Sequence, residues 1–198
     1  DNNLSPEIAL NYYINDDTSV YVAWKRAFKS GGIDNSALPT ASINPLSPTF
    51  EGFDALIYES EEAEGFEIGI KSNLLDNSLR INATYYFYEY TDLQVQLFDA
   101  NIIQFSTFNA GAVETEGFEA DMLWYTDVEG LTLRGQFAWT DATNTGDFFN
   151  TSGVNLRGSE RSYSPEFAGS LGFSYDAGLG AGWRVNLSSD ARYSDDYG

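Results

Sequence analysis

The side chains in this sequence that can do chemistry are mostly carboxylates. Thirty Asp and Glu residues stand against ten Lys and Arg, for a formal net charge of −20, and there is no His and no Cys. Without Cys there are no disulfides, no thiol catalysis and no thiolate metal sites. Without His the commonest metal ligand and the usual general base at neutral pH are gone. The carboxylates gather at Asp16-Asp17, at Asp195-Asp196 and between Glu59 and Glu64. Their oxygens are the donors that calcium takes. Each cluster falls in or beside a turn or loop, where solvated charge is the competing reading. The Gly-rich "AGLGAG" from Ala177 lacks the following Lys-Ser/Thr of a phosphate loop. Serines without a histidine do not make a hydrolase on the usual plan. The sequence therefore offers no catalytic residues, no metal site and no cofactor, and its acidity argues against nucleic acid as a partner.

What positions these charges is alternation. Helix signals are poor, and period-2 patterning is strong. Phe66, Ile68 and Ile70 alternate with Glu67, Gly69 and Lys71. After "LDNS", Leu79, Ile81, Ala83, Tyr85 and Phe87 alternate with Arg80, Asn82, Thr84, Tyr86 and Tyr88. Pairing Leu74 with Leu79 sets Ile70 against Ala83, Ile68 against Tyr85 and Phe66 against Phe87, so one register satisfies a whole two-faced hairpin. A second copy follows. Both Glu62 and Glu114 open a Glu-x-Glu-Gly-Phe-Glu, and both lead into a hairpin rich in aromatics. Further hairpins are read around the turns "NDD" and "AGLGAG". The pattern predicts eight strands, at about 5–15, 19–29, 62–74, 79–97, 103–126, 131–142, 163–176 and 183–194. Their connections alternate between tight turns and long Gly/Ser/Asn/Asp/Pro-rich loops at 30–61 and 143–162, with an intermediate one near 98–102 and a bend near Asn109 to Gly111.

Two arrangements compete for the apolar face. It packs on a second sheet as the core of a soluble sandwich, or it meets lipid while the polar face lines a wet lumen. No run of 18 apolar residues exists for a transmembrane helix, but a barrel needs only every second residue apolar. Loops sorted by length favour the membrane arrangement. So do two aromatic bands: Tyr12, Tyr13, Trp124, Tyr125, Tyr175 and Trp183 near the tight turns, and Trp24, Phe28, Tyr85 to Tyr88, Tyr90, Phe105 and Trp139 toward the loops. The polar face carries Glu67, Lys71, Arg80, Glu119, Asp121, Arg134, Arg184 and Arg192, which a dry core would not tolerate.

The segment "EAEGFEIGIKSNLLDNSLRINATYYFYEYTDLQVQ" resembles a barrel segment of TonB-dependent outer-membrane receptors. The resemblance is carried by Glu67, Gly69 and Lys71, then Tyr90, Asp92, Leu93 and Gln94. "NAGAVETEGFEAD" is similar to the family's next upward strand, through Asn109, Gly111, Gly117 and Glu119. "SPEIALNYYINDDTSVYVAWKRAFKSG" and "SPEFAGSLGFSY" resemble hairpins on either side. Together these cover nearly the whole chain.

The resemblance implies an all-β, antiparallel up-and-down meander of about eight strands within a larger transmembrane barrel. Residues 1–198 are expected to be an interior part of that barrel domain, with the plug domain and the terminal strands outside them. The implied function is energy-coupled, TonB-dependent uptake across the bacterial outer membrane of a ferric siderophore, cobalamin, an oligosaccharide or a similar large nutrient. The implied partners are outer-membrane lipid, the protein's own plug domain, and the TonB complex through the N-terminal part. Glu67, Lys71, Glu119 and Arg134 are expected on the lumen wall. Phe50, Phe53, Tyr58, Phe148, Phe149 and Arg157, in the long loops, are the candidates for ligand contact, with packing of the loops on themselves as the alternative. A non-transport structural or adhesion barrel and a soluble β-sandwich binding module remain the competing functions.

Overall fold

The computed structural model describes residues 3–34, 46, 52–99, 104–150 and 152–196. Its strands are β1 (Glu7–Tyr13), β2 (Thr18–Lys29), β3 (Gly32–Ile33), β4 (Ile57–Tyr58), β5 (Glu61–Leu74), β6 (Leu79–Thr91), β7 (Gln94–Asp99), β8 (Gln104–Asn109), β9 (Ala112–Tyr125), β10 (Leu131–Asn144), β11 (Phe167–Gly180) and β12 (Trp183–Ser194). A 3-10 turn at Phe53–Leu56 precedes β4. Eight strands form one antiparallel sheet in the order β1-β2-β5-β6-β9-β10-β11-β12, and β3-β4 and β7-β8 are separate two-stranded ribbons. Among the described residues β1 and β12 do not pair, so the sheet is open.

The hairpin register follows from the alternation. Leu74 pairs with Leu79, Ile70 with Ala83, Ile68 with Tyr85, Phe66 with Phe87 and Lys71 with Asn82, because any one-residue slip would turn the apolar set to the other face. The turns suit their residues. Leu75, Asp76 and Asn77 all take positive φ, a conformation that Asn and Asp tolerate, and Ser78 Oγ closes the loop on the Leu75 carbonyl at 2.7 Å. The turn after β11 is Gly180-Ala181-Gly182, again all at positive φ.

In three places the elements differ from the sequence pattern. The strands expected at 79–97 and 103–126 are each cut in two. Asp92 turns the chain at φ 52, and Gly111, at the bend expected near Asn109 to Gly111, turns it at φ 64, so β7 and β8 leave the sheet as a hairpin of their own. The strand expected at 163–176 starts later and runs through much of "AGLGAG", with a register shift between Gly178 and Gly180 absorbing the extra residues. Tyr86, Tyr88 and Tyr90 share the phase of Asn82 and Thr84 on β6, so the loop-side band on the apolar face keeps Tyr85 and Phe87 and loses these three. Phe105, on β8, lies outside the main sheet altogether.

The sheet has one layer. Ile8, Leu10, Ile68 and Leu171 are 61%, 68%, 53% and 69% exposed, and no second sheet covers the apolar face among the described residues. The soluble sandwich lacks, among the described residues, the second sheet that it requires. The buried apolar side chains are few and small, Ala23, Leu56, Val95, Val113 and Ala142. Among the described residues no helix is long and apolar enough to cross a membrane. Apolar surface of this extent needs a cover, and strands of 12 to 14 residues are long enough for a tilted crossing of a bilayer.

Candidate functional site

The polar face of the sheet carries an ordered network. Lys25 Nζ donates to Glu67 Oε1 at 2.9 Å, and the Tyr88 hydroxyl donates to the same oxygen at 2.6 Å. Lys71 stands over the ring of Tyr21, 5.5 Å from its centroid. Asn82 Nδ2 lies 3.1 and 3.0 Å from the two carboxylate oxygens of Asp121. Arg134 grips Asp190 with two parallel bonds, Nε to Oδ1 at 3.0 Å and Nη2 to Oδ2 at 2.8 Å. That two-pronged geometry is specific to guanidinium and carboxylate.

Three transverse rows share one construction. Tyr21, Gly69 and Thr84 are neighbours on β2, β5 and β6. The Tyr21 ring lies across Gly69 and its hydroxyl meets Thr84 Oγ1 at 2.9 Å. Tyr86, Gly117 and Thr140 repeat the arrangement on β6, β9 and β10, with 3.0 Å between the oxygens. Arg134, Gly172 and Asp190 repeat it with charge on β10, β11 and β12. In each row a Cβ on the glycine would enter the space of the crossing side chain. Glycine is thus needed for close approach rather than for an unusual backbone angle. Each row ties three strands together, which a cross-strand pair alone does not do.

The residues expected on the wall, Glu67, Lys71, Glu119 and Arg134, all lie in the polar phase of their strands. They do not form one cluster. Glu67 and Lys71 belong to the network around Tyr21 and Tyr88. Glu119 and Arg134 line a hollow of about 1090 Å³ over β9 to β12, together with Arg80, Asp121, Asp190 and Arg192.

At the loop end two polar knots hold the connections. Asn109 Oδ1 accepts the Glu59 amide at 2.6 Å, and its Nδ2 donates to the carbonyls of Glu59 at 3.0 Å and Asp92 at 2.6 Å. Gln94 Nε2 donates to the carbonyls of Ser30 and Glu59, and Asp34 Oδ2 accepts the Thr107 amide at 2.7 Å. Together they bind β3, β4, β7 and β8 into one body. The second knot is Asn155. Its Oδ1 accepts the Phe148 and Arg157 amides, and its Nδ2 donates to Asp147 at 2.9 Å. That bond, reinforced by Arg157 at 3.6 Å, holds the Asp147 carboxyl below its ordinary value against the opposing effect of desolvation.

The loop candidates for ligand contact separate accordingly. Phe50 lies outside the described residues. Phe53 is on the 3-10 turn. Tyr58 pairs with Gly32 on β3, and its ring fills the space over that glycine, so it is a packing residue of the first knot. Phe148 packs near Gly111. Phe149 is 55% exposed and sits with Arg157 in the second knot. The carboxylates between Glu59 and Glu64 are engaged: Glu61 with Lys29, Glu62 with Arg26 and Glu64 with the Trp24 indole. No group of three or more described Asp or Glu residues is arranged to hold a metal ion.

The sequence alone does not single out the three-strand rows or Asn155. Gly69, Gln94, Asn109 and Gly117 are among the residues that carry the family resemblance, without a structural role to go with them.

The whole chain, residues 1–198, matches the family model described as TonB dependent receptor-like, beta-barrel. No curated protein matches the sequence. Among solved structures, the chain superposes on BauA, the ferric preacinetobactin receptor from Acinetobacter baumannii, with a TM-score of 0.66 and 19% identity, covering 96% of this chain and 25% of that one. For Fiu, the ferric-catecholate import receptor from K12 E. coli, the values are 0.63 and 21%, over 95% and 24%. For FyuA, the ferric yersiniabactin uptake receptor from Yersinia pestis, they are 0.61 and 15%, over 86% and 22%. At such identities the likeness is one of fold. The chain spans about a quarter of the length of these proteins.

Proposed function

The chain belongs to the TonB-dependent receptor β-barrel family, and from that premise we propose that it is part of the barrel wall of a bacterial outer-membrane receptor for energy-coupled nutrient uptake. The observation that carries this reading is the single-layer sheet with one uncovered apolar face and one charged, internally bonded face. A wall between lipid and an aqueous interior has that cross-section. On this reading residues 1–198 are one arc of a larger barrel. The rest of the polypeptide supplies the other strands, a plug domain inside them and the segment that meets the TonB complex. The cargo class is a ferric siderophore, by kinship of fold with receptors named for such cargo, with cobalamin and oligosaccharides as the other large nutrients such a wall would pass. Phe149 and Arg157, both exposed in the second knot, are the loop residues assigned to meet it. Phe50, Phe53 and Phe148 are secondary candidates, and Tyr58 acts through packing. We assign no catalytic step to the wall.

The test uses the whole protein in its native membrane. It should fractionate with outer membranes, and its folded form should migrate differently on a gel before and after heating. Deleting its gene should abolish uptake of one labelled ferric siderophore in iron-limited cells, in a TonB-dependent way. Recovery as a soluble periplasmic monomer would overturn the barrel assignment. Normal uptake of every large nutrient tried, with membrane location intact, would leave a structural barrel instead.

A further inference from the structure

At the loop end of the outward face the residue types change from one row to the next. Trp24, Phe66 and Phe87 stand side by side on β2, β5 and β6. Two positions farther toward the loops, about 6.6 Å along each strand, stand Arg26, Glu64 and Glu89, again side by side and in the same phase. Aromatic rows of this kind mark the boundary between hydrocarbon and headgroups. The charged row therefore lies at headgroup depth on the lipid side of the wall.

Two neighbouring hollows open there. One, of about 360 Å³, is lined by Trp24, Phe66 and Phe87 together with Glu62, Glu64 and Glu89. The other, of about 340 Å³, lies around Arg26 and Phe28, and Trp24 and Glu62 line both. Phe66 and Phe87 are stacked, with ring centroids 5.8 Å apart. The charges keep bonding capacity in reserve. Arg26 is paired with Glu62, but a guanidinium has five donors and this one is exposed. Glu64 accepts the Trp24 indole N–H on Oε1 at 3.1 Å, and its other oxygen has no partner among the described residues. Glu89 is exposed and has neither a hydrogen bond nor an ion pair among the described residues. Glu64 and Glu89 face each other across β5 and β6, where like charges repel. A seat for a cation, made of two carboxylates above aromatic rings, thus adjoins a seat for an anion at Arg26, one strand spacing of about 4.8 Å away.

We propose that this place seats the headgroup of one phosphoethanolamine phospholipid, with its phosphate on Arg26 and its ammonium between Glu64 and Glu89 over the rings of Trp24, Phe66 and Phe87. The inference rests on the receptor reading above, in which this face meets lipid. Charge chooses the occupant. The seat carries both signs side by side, and so does that headgroup, whose phosphate and ammonium are joined by a two-carbon link short enough to bridge neighbouring strands. An anionic headgroup would meet the two carboxylates with nothing to offer them. The ring-lined floor favours an ammonium, which aromatic faces attract, and an ammonium between Glu64 and Glu89 relieves their repulsion. The next row away from the loops on the same face is Val22, Ile68 and Tyr85, so the acyl chains of the bound lipid continue along a surface already turned to lipid.

The experiment uses the full-length protein in nanodiscs of equal parts phosphatidylethanolamine and phosphatidylglycerol, with the lipids it retains after release into detergent identified by native mass spectrometry. One phosphatidylethanolamine should be retained in preference to phosphatidylglycerol. Arg26→Gln and the double variant Glu64→Gln/Glu89→Gln should each lower that preference, by about two- to fivefold for every contact removed, with membrane insertion and heat-modifiable mobility unchanged. Glu114→Gln, beside Glu89 in the same row but outside both hollows, should leave the preference as it is. Equal retention of the two lipids, or an equal loss in Glu114→Gln, would overturn the seat and leave the receptor reading standing. So would retention of phosphatidylglycerol that depends on added calcium, because a metal ion would then stand where the ammonium is placed. A full-length protein that stays soluble without detergent and does not enter nanodiscs would overturn both.

Discussion

The row Tyr21–Gly69–Thr84 makes a quantitative prediction about Gly69→Ala. An added Cβ would meet the Tyr21 ring, and all three of its nearest heavy atoms belong to that side chain. The ring must leave its seat. That loses the hydrogen bond to Thr84, about 0.5–1.5 kcal/mol, and the crowding adds about 1–3 kcal/mol. Against this, replacing glycine by alanine within a strand returns about 0.5–1 kcal/mol. The net cost should be about 0.5–4 kcal/mol. In a Tyr21→Ala background the three atoms nearest the methyl group are gone, so the same substitution should stabilise by about 0.5–1 kcal/mol. The sign should reverse between the two backgrounds. The assay is a double-mutant cycle on the full-length protein in lipid vesicles, with unfolding in urea followed by gel mobility. An equal effect of Gly69→Ala in both backgrounds would refute the claim that the glycine exists to seat the tyrosine.

Neighbouring residues on β10 should respond oppositely to charge: Phe137→Arg, on the apolar face, should cost about 2–4 kcal/mol near the bilayer midplane, and Gln136→Arg, facing Asp121, should cost little, as read by the same urea titration; equal costs would mean that the face assignment is wrong. Asn109→Ala removes three hydrogen bonds of the first loop knot and should loosen residues 57–60 and 92–110 by about 1–3 kcal/mol, seen as faster amide exchange confined to those segments. Asp147 has its pKa lowered from the ordinary 3.8, chiefly by the bond from Asn155. Its contribution to the order of the 145–162 loop is therefore complete above that value and lost as pH falls through the lowered one. Protease sensitivity of this loop should rise at strongly acidic pH in the native protein and be flat with pH in Asp147→Asn.

Much of the architecture follows from period-2 alternation, which is a local property. A strand's side chains change face at every residue, so Phe66, Ile68 and Ile70 against Glu67, Gly69 and Lys71 decide both the faces and the register of the β5–β6 hairpin before any third strand is added. The order of hairpins along the chain decides the meander, because consecutive strands joined by tight turns have only each other to pair with. The charged face could be read at this level; the family was implied by the resemblance carried by residues such as Glu67, Gly69, Lys71, Asn109 and Gly117 and is shown by the match over residues 1–198.

What the sequence left undecided involves three strands at once or residues far apart in the chain. That Gly69 serves Tyr21 and Thr84, with 63 positions between the tyrosine and the threonine, depends on the lateral register of β2, β5 and β6, which no single hairpin sets. The break at Gly111 falls at the expected bend, whereas the one at Asp92, also at positive φ and held by Asn109 Nδ2 on the Asp92 carbonyl, lies inside the strand expected at 79–97. For Tyr86 and Tyr88 two signals in the sequence disagree: residue type points to the lipid interface, while alternation already sets them in phase with Asn82 and Thr84, and the phase prevails, with Tyr88 on Glu67 and Tyr86 on Thr140. That Arg134 meets Asp190, 56 positions away, was decided by tertiary pairing, because the sequence lists charges and the fold decides which of them meet.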